Sequence, residues 1–241
     1  MGSETITLCP EPGLNQTGIP AWKRALDLTL ILALLPGLLL LGAGVALIIK
    51  LGSPGPIFFR QRRVGYKGRQ FVCFKFRTMS VNAETDSHRR HTQELMKSKT
   101  AMTKLDERKD PRLVPLAGVL RACGLDELPQ LINVVRGEMS LIGPRPCIPY
   151  ECEAYEPWHF ARFDAAPGLT GLWQVSGKNR TTFEEMVRLD IDYSRRLSLG
   201  LDLWILARTL PAIWGQYCDL QAAKQQHALP RVRGTVGSFG T

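Results

Sequence analysis

Leu28–Ile49, LTLILALLPGLLLLGAGVALII, is the stretch that decides what kind of protein this is. Its 22 residues carry no charge, and Thr29 is the only hydroxyl. As one straight helix the run extends about 33 Å, enough to cross a hydrocarbon core. Pro36-Gly37 divides it into Leu28–Leu35 and Leu38–Ile49, about 12 and 18 Å long if helical, and neither arm alone spans about 30 Å. The run is therefore either a single span or a helix-break-helix hairpin that enters and leaves by one face. Lys23 and Arg24 precede it, and Lys50, Arg60, Arg62, Arg63 and Lys67 follow it. Basic residues mark the cytoplasmic side of a membrane segment. With both flanks basic, the re-entrant reading is favoured. A cleaved signal peptide fits poorly, because an acidic lead precedes the basic residues and the apolar run continues through Leu47-Ile48-Ile49.

Outward from this segment, residues 1–20 hold Glu4 and Glu11, no Lys or Arg, and several Pro and Gly, and read as a flexible tail. The membrane helix occupies 21–51, a cytoplasmic domain 52–215, and a loose basic tail 216–241. Gly52-Ser53-Pro54-Gly55-Pro56 is a rigid breaker. Ile57–Arg63 and Arg69–Thr78 are predicted strands of a hairpin around Gly65-Tyr66-Lys67-Gly68. In the second strand Val72, Phe74 and Phe76 share one face and Cys73, Lys75 and Arg77 the other. The two cations there either grip a phosphate or lie on a solvated sheet face. Asn82–Lys109 is polar, and its His88 and His91 flank Arg89 and Arg90, a poor setting for a metal. Thr182-Phe183-Glu184-Glu185 has capping-box spacing and opens an amphipathic helix. Asp202–Gly215, with Trp204 and Trp214, is a helix that is either deeply buried or lying at headgroup depth.

Composition excludes several classes. Hydrophobic residues at 44% and charged residues at 22% describe a folded chain, neither disordered nor collagen-like. The six cysteines, Cys9, Cys73, Cys123, Cys147, Cys152 and Cys218, form no C-x-x-C pair and are too few for a disulfide scaffold. A net charge of +9 requires an anionic partner. A nucleic-acid partner rests on net charge alone and is not expected: no recognised module is present, and the aromatics do not interleave with the basic residues.

The densest chemistry lies in Arg121-Ala122-Cys123-Gly124-Leu125-Asp126-Glu127-Leu128-Pro129-Gln130. Apolar residues at Leu128, Leu131, Ile132 and Val135 predict a helix starting near Asp126, with Pro129 in its first turn. Asp126 and Glu127 either cap that helix and complement its dipole, or hold a divalent cation or present a carboxylate nucleophile.

Six stretches in order carry a family resemblance: Lys23-Arg24-x-x-Asp27, Phe59-Arg60-Gln61, Lys75-Phe76-Arg77-Thr78-Met79, Leu125–Gln130, Met139–Pro146 and Pro167-Gly168-Leu169-Thr170-Gly171. Over residues 21–215 the chain resembles the bacterial sugar transferases, the monotopic polyprenyl-phosphate phosphoglycosyl transferases. The resemblance implies transfer of a phosphosugar from a nucleotide-diphosphate sugar, a UDP-sugar, to polyprenyl (undecaprenyl) phosphate at the cytoplasmic face of the bacterial inner membrane. UMP leaves, and surface glycan assembly begins. It also implies a helix broken at Pro36, Asp126 as covalent nucleophile with Glu127 beside it, and a requirement for Mg2+. Asp126 and Glu127 are the candidate ligands, with Glu127 assigned either to that metal or to proton handling.

Within that reading Lys75, Arg77, Arg121 and Arg145 are candidates for gripping substrate phosphates, since a carboxylate attacking phosphorus needs cations to relieve repulsion. Gln174, Lys178 and Arg180 are candidates for the nucleotide or sugar. Anionic membrane lipid and a second copy of the chain are further candidate partners. Three positions depart from the family: Gly124 replaces a Ser or Thr, Ala166 a basic residue, and Lys178 an Arg. Gly124 and Ala166 support an alternative, a basic membrane-anchored scaffold whose site has decayed. The expected architecture is mixed α/β: a re-entrant helix, a small β-hairpin, and amphipathic interfacial helices around a cytoplasmic active site.

Overall fold

The computed structural model describes residues 18–79, 90, 94–96, 100–101, 116–177 and 180–228. His88, His91 and Lys178 lie outside the described residues, as does nearly all of the expected N-terminal tail. The architecture is mixed helix and strand. It opens with α1 (Ala21–Gly52), a helix of 32 residues that is about 48 Å long. The expected interruption at Pro36 does not end it. Proline withdraws one amide from the helical ladder while its neighbours keep theirs, so an apolar helix can continue through it.

Burial along α1 is uneven. Leu32, Leu34, Leu39 and Leu40 near its middle are exposed, Leu40 at 78%. Lys23, Asp27 and Ile31 near its start are buried, and so are Val45 and Ile49 near its end. Ile31 packs with Val134 and Met139, while Val45 and Ile49 pack with Phe76 and Leu120. The two ends of the helix are thus held by one folded body, and the apolar middle is left without protein cover.

The sequence places Lys23 and Arg24 in the basic flank of a membrane segment; the structure buries Lys23 and gives the half-buried Arg24 protein partners. Lys23, 2% exposed, pairs with Asp202 at 2.5 Å and donates to the Tyr193 hydroxyl at 2.9 Å. Arg24 donates to the carbonyls of Val134 and Val135. Asp27 accepts from the Ser140 hydroxyl at 3.1 Å and the Leu141 amide at 3.0 Å. Lys23-Arg24-x-x-Asp27 is a clamp, because polar groups taken out of water need partners.

Next come β1 (Phe58–Val64) and β2 (Gln70–Phe76), antiparallel, with Phe58 opposite Phe76 and Val64 opposite Gln70. They fall within the predicted strands to within a residue. The chain then forms α2 (Ala117–Ala122), a 3-10 turn (Leu125–Gln130), α3 (Leu131–Val135), β3 (Ser140–Ile142), α4 (Pro149–Cys152), a second 3-10 stretch (Pro157–Asp164), β4 (Gly168–Thr170), α5 (Leu172–Val175), α6 (Phe183–Arg196) and α7 (Leu199–Ala228).

The pairing of β3 with β4 was not predicted. β3 and β4 pair in parallel, Ser140 beside Gly168 and Ile142 beside Thr170. Their backbones approach so closely that a Cβ on Gly168 would lie 2.0 Å from the Gly143 amide nitrogen, and one on Gly171 would lie 2.1 Å from the Gly143 carbonyl. Gly168→Ala is therefore expected to cost about 1–3 kcal/mol, read as a lowered thermal midpoint in detergent. Gly118→Ala is the control, since its new Cβ meets nothing within 4 Å. An unchanged midpoint for Gly168→Ala would mean that the strands do not meet this closely.

Thr182 caps α6 as expected, accepting from the Glu185 amide at 3.2 Å while Glu185 accepts from the Thr182 amide at 2.8 Å. α7 is longer than expected: residues 216–228 continue the helix, so they are not a loose tail. Its first half has one buried face and one exposed apolar face. Asp202 and Ile205 are fully buried, whereas Leu203, Trp204, Leu210 and Trp214 are exposed. Such a face suits headgroup depth.

Candidate active site

Asp126 and Glu127 stand on the 3-10 turn Leu125–Gln130, not on the first turn of an α-helix. Pro129 lacks the amide an α-helix would use there, and Gly124 enters the turn at φ 69°. Glycine populates that left-handed region without the penalty a Ser or Thr side chain carries. The departure at Gly124 is therefore a local conformational fit. The cap position is Gly124 itself, so no side chain caps the turn from there. Leu125 and Leu128, on either side of the pair, pack against the cluster of Val45, Ile49, Phe76 and Leu120. The dyad thus lies directly beneath the second half of α1, with Asp126 7% exposed.

Lys75 reaches the dyad, its ammonium 2.6 Å from Glu127 Oε1. Asn133, fully buried on α3, sets that reach. Its side-chain oxygen accepts from the Phe74 amide at 3.2 Å, and its nitrogen donates to the Val72 carbonyl and to Glu138, both at 2.7 Å. One amide side chain thereby ties β2, through the residue before Lys75, to the helix that follows the dyad. Sequence reasoning passed over Asn133; its only signal was a polar residue inside the apolar run Leu131–Val135.

The other cation of that strand face is used differently. Arg77 is buried and donates to the carbonyls of Pro54 at 2.6 Å and Ser53 at 2.9 Å. Backbone carbonyls just past a helix end lack intrahelical partners, and a guanidinium satisfies two at once. Arg77 fastens the segment that leaves α1. Arg121 is half-buried on α2, ahead of the dyad. The side chain of Arg145, 27% exposed, lies 3.3 Å from Glu151 Oε2.

The hairpin links the two regions. β2 faces the dyad turn, while at the end of β1 the Val64 amide donates to the Cys147 carbonyl at 2.9 Å, and Arg63 donates to the Pro146 carbonyl at 2.9 Å. Gln174 lies on α5, which packs against α6 and α7; its buried side-chain oxygen has no hydrogen-bond partner among the described residues. Arg180 is exposed beyond α5. The buried Ala166 sits beside Gly143, its carbonyl 2.2 Å from where a Gly143 Cβ would be.

Among the described residues no three His, Cys, Asp or Glu side chains converge on a point. Magnesium commonly takes one or two carboxylates and completes its shell with waters and substrate phosphates. Two adjacent carboxylates fit that partial donor set, with Lys75 sharing Glu127.

Residues 19–216 match the family model described as "Bacterial sugar transferase". The chain is a bacterial sugar transferase. This transferase is 40% identical over 196 residues to the exopolysaccharide production protein ExoY of Sinorhizobium fredii, covering 79% of this chain and 84% of that protein. It is 40% identical over 222 residues to the UDP-glucose:undecaprenyl-phosphate glucose-1-phosphate transferase of Caulobacter vibrioides, covering 88% and 76%. The UDP-galactose-lipid carrier transferase of Erwinia amylovora is 42% identical over 197 residues, 79% of this chain and 40% of that longer protein. The sugar transferase is accordingly an enzyme of the phosphoglycosyl transferase class, and α1 gives it a membrane-associated form.

Proposed function

We propose that this transferase moves a sugar-1-phosphate from a UDP-sugar to undecaprenyl phosphate at the cytoplasmic membrane face, as the first membrane step of surface glycan assembly. The observation that carries the reading is the position of Asp126 and Glu127 under the second half of α1, between Leu125 and Leu128. A water-soluble donor and a lipid acceptor can both present phosphate at such a place. The names of the relatives from Caulobacter vibrioides and Erwinia amylovora support the substrate pair.

In the first displacement an Asp126 carboxylate oxygen bonds to the phosphorus that bears the sugar, the phosphoanhydride bond breaks, and UMP departs. In the second, an oxygen of undecaprenyl phosphate bonds to that phosphorus and the Asp126–phosphorus bond breaks, restoring the carboxylate. Two displacements let each substrate use the site in turn. Lys75, Arg121 and Arg145 would meet phosphate charge, and Mg2+ held by Asp126, Glu127 and substrate phosphates would neutralise more of it. Arg77 is left out of that set, because two of its nitrogens already serve Ser53 and Pro54. The decayed-scaffold alternative loses its main support once Gly124 is seen to suit its left-handed turn.

The test uses purified protein in detergent with Mg2+, undecaprenyl phosphate and a panel of UDP-sugars. Release of UMP with one or two donors is expected. Silence across the panel from folded protein would overturn the reading.

The helix is read as re-entrant. Its N-terminal basic flank argues for this less, since Lys23 is buried and Arg24 is engaged by the carbonyls of Val134 and Val135. The stronger support is that both ends of α1 contact one body. Single cysteines placed in residues 5–18 and 220–240 of a cysteine-free variant should both resist an impermeant thiol reagent in intact cells. Labelling of the N-terminal set alone would make α1 a span.

A further inference from the structure

Glu151 is a buried carboxylate that neither the sequence motifs nor the dyad accounts for. It is 3% exposed and stands on α4, with Oε2 and Oε1 at 3.3 and 3.5 Å from Nη1 of Arg145. A guanidinium presents five N–H donors in a planar fork. One nitrogen of Arg145 is committed to Glu151; the described residues give its other two no hydrogen bond, and the side chain is partly open to solvent. The backbone beneath is clamped independently. Arg162 donates to the Arg145 carbonyl at 3.1 Å and Arg63 to the Pro146 carbonyl at 2.9 Å, and Arg162 is itself paired with Asp190.

Burial alone pushes the Glu151 carboxyl up, but the charges of Arg145, Arg63 and Arg162 outweigh it and hold the group below the ordinary carboxylate range. Glu151 is thus an anion facing three cations. The surplus of positive charge is what a bound phosphate would complete.

We propose that Glu151 is a positioning residue: it fixes one edge of the Arg145 guanidinium so that the opposite edge is presented to a substrate phosphate. The inference rests on the proposed function, in which Arg145 meets a phosphate. A purely structural Glu151 would support folding alone. A positioning Glu151 acts through Arg145, and the two cases separate in kinetics.

The experiment compares wild type, Glu151→Gln, Arg145→Met and the double variant by UMP release, with the UDP-sugar and undecaprenyl phosphate titrated separately and thermal midpoints measured alongside. The expected result is a KM for one of the two substrates raised about tenfold by Glu151→Gln, kcat held within about twofold, and no further rise when Glu151→Gln is added to Arg145→Met. Unchanged KM values for both substrates, or losses that multiply in the double variant, would overturn the proposal. If Glu151→Gln alone does not fold, the double variant against Arg145→Met decides: equal KM supports positioning, and a further rise opposes it. Absence of UMP release by wild type would instead strike the proposed function, so the two failures are distinguishable.

Discussion

Asp126→Asn is expected to abolish UMP release, by about 10³-fold or more, while the protein stays folded and membrane-bound. The substitution keeps the shape of a buried side chain and removes the charge and lone-pair strength a nucleophile needs. The turn that carries it should survive, because Leu125, Leu128, Pro129 and Gly124 set its path. A second readout belongs to the same prediction. Wild type incubated with a donor labelled in the sugar phosphate, without acceptor, should retain label through denaturation, and Asp126→Asn should retain none. Glu127→Gln separates the partners: it loses the 2.6 Å pairing with Lys75 and should slow turnover while still taking up label. Substantial UMP release from Asp126→Asn would move the nucleophile elsewhere.

Lys23→Met is expected to destabilise the fold by about 3–5 kcal/mol, the usual effect of removing one partner of a buried ion pair. Asp202 is fully buried, and without the ammonium its side chain keeps, among the described residues, only the Tyr193 hydroxyl, 2.7 Å away. The same change detaches the start of α1 from α6 and α7. Lys23→Met with Asp202→Leu should recover much of the loss, because no charge is then stranded in the interior. Thermal or chemical unfolding in detergent measures both. A cost below about 1 kcal/mol for Lys23→Met would place the ammonium in a solvated flank, and the clamp at the helix start would fall with it.

Much of the local structure was legible in the sequence. Alternation from Val72 to Arg77 marked β2, the Thr182–Glu185 spacing marked the start of α6, and the apolar run marked α1, each because the signal is short-range. The dyad was legible as chemistry, and its 3-10 geometry was not, since that depends on Gly124 taking the left-handed region before Pro129. The length of α7 was underestimated because Gln216–Ala228 has no apolar period strong enough to show a helix.

What the sequence by itself determined is the membrane-associated class, the strand hairpin, the presence of an acidic pair beside basic residues, and the family. These follow from composition, period and motif order. Only the tertiary structure decided what the charged side chains do. Arg77 serves the carbonyls past α1, Lys75 serves the dyad, Lys23 is buried against Asp202, and Glu151 holds Arg145. Adjacent positions on one strand face, or two cations beside one apolar run, read alike in sequence. Their roles diverge because a buried charge is governed by the partner that meets it, and in Lys23 and Asp202 that partner is 179 residues away.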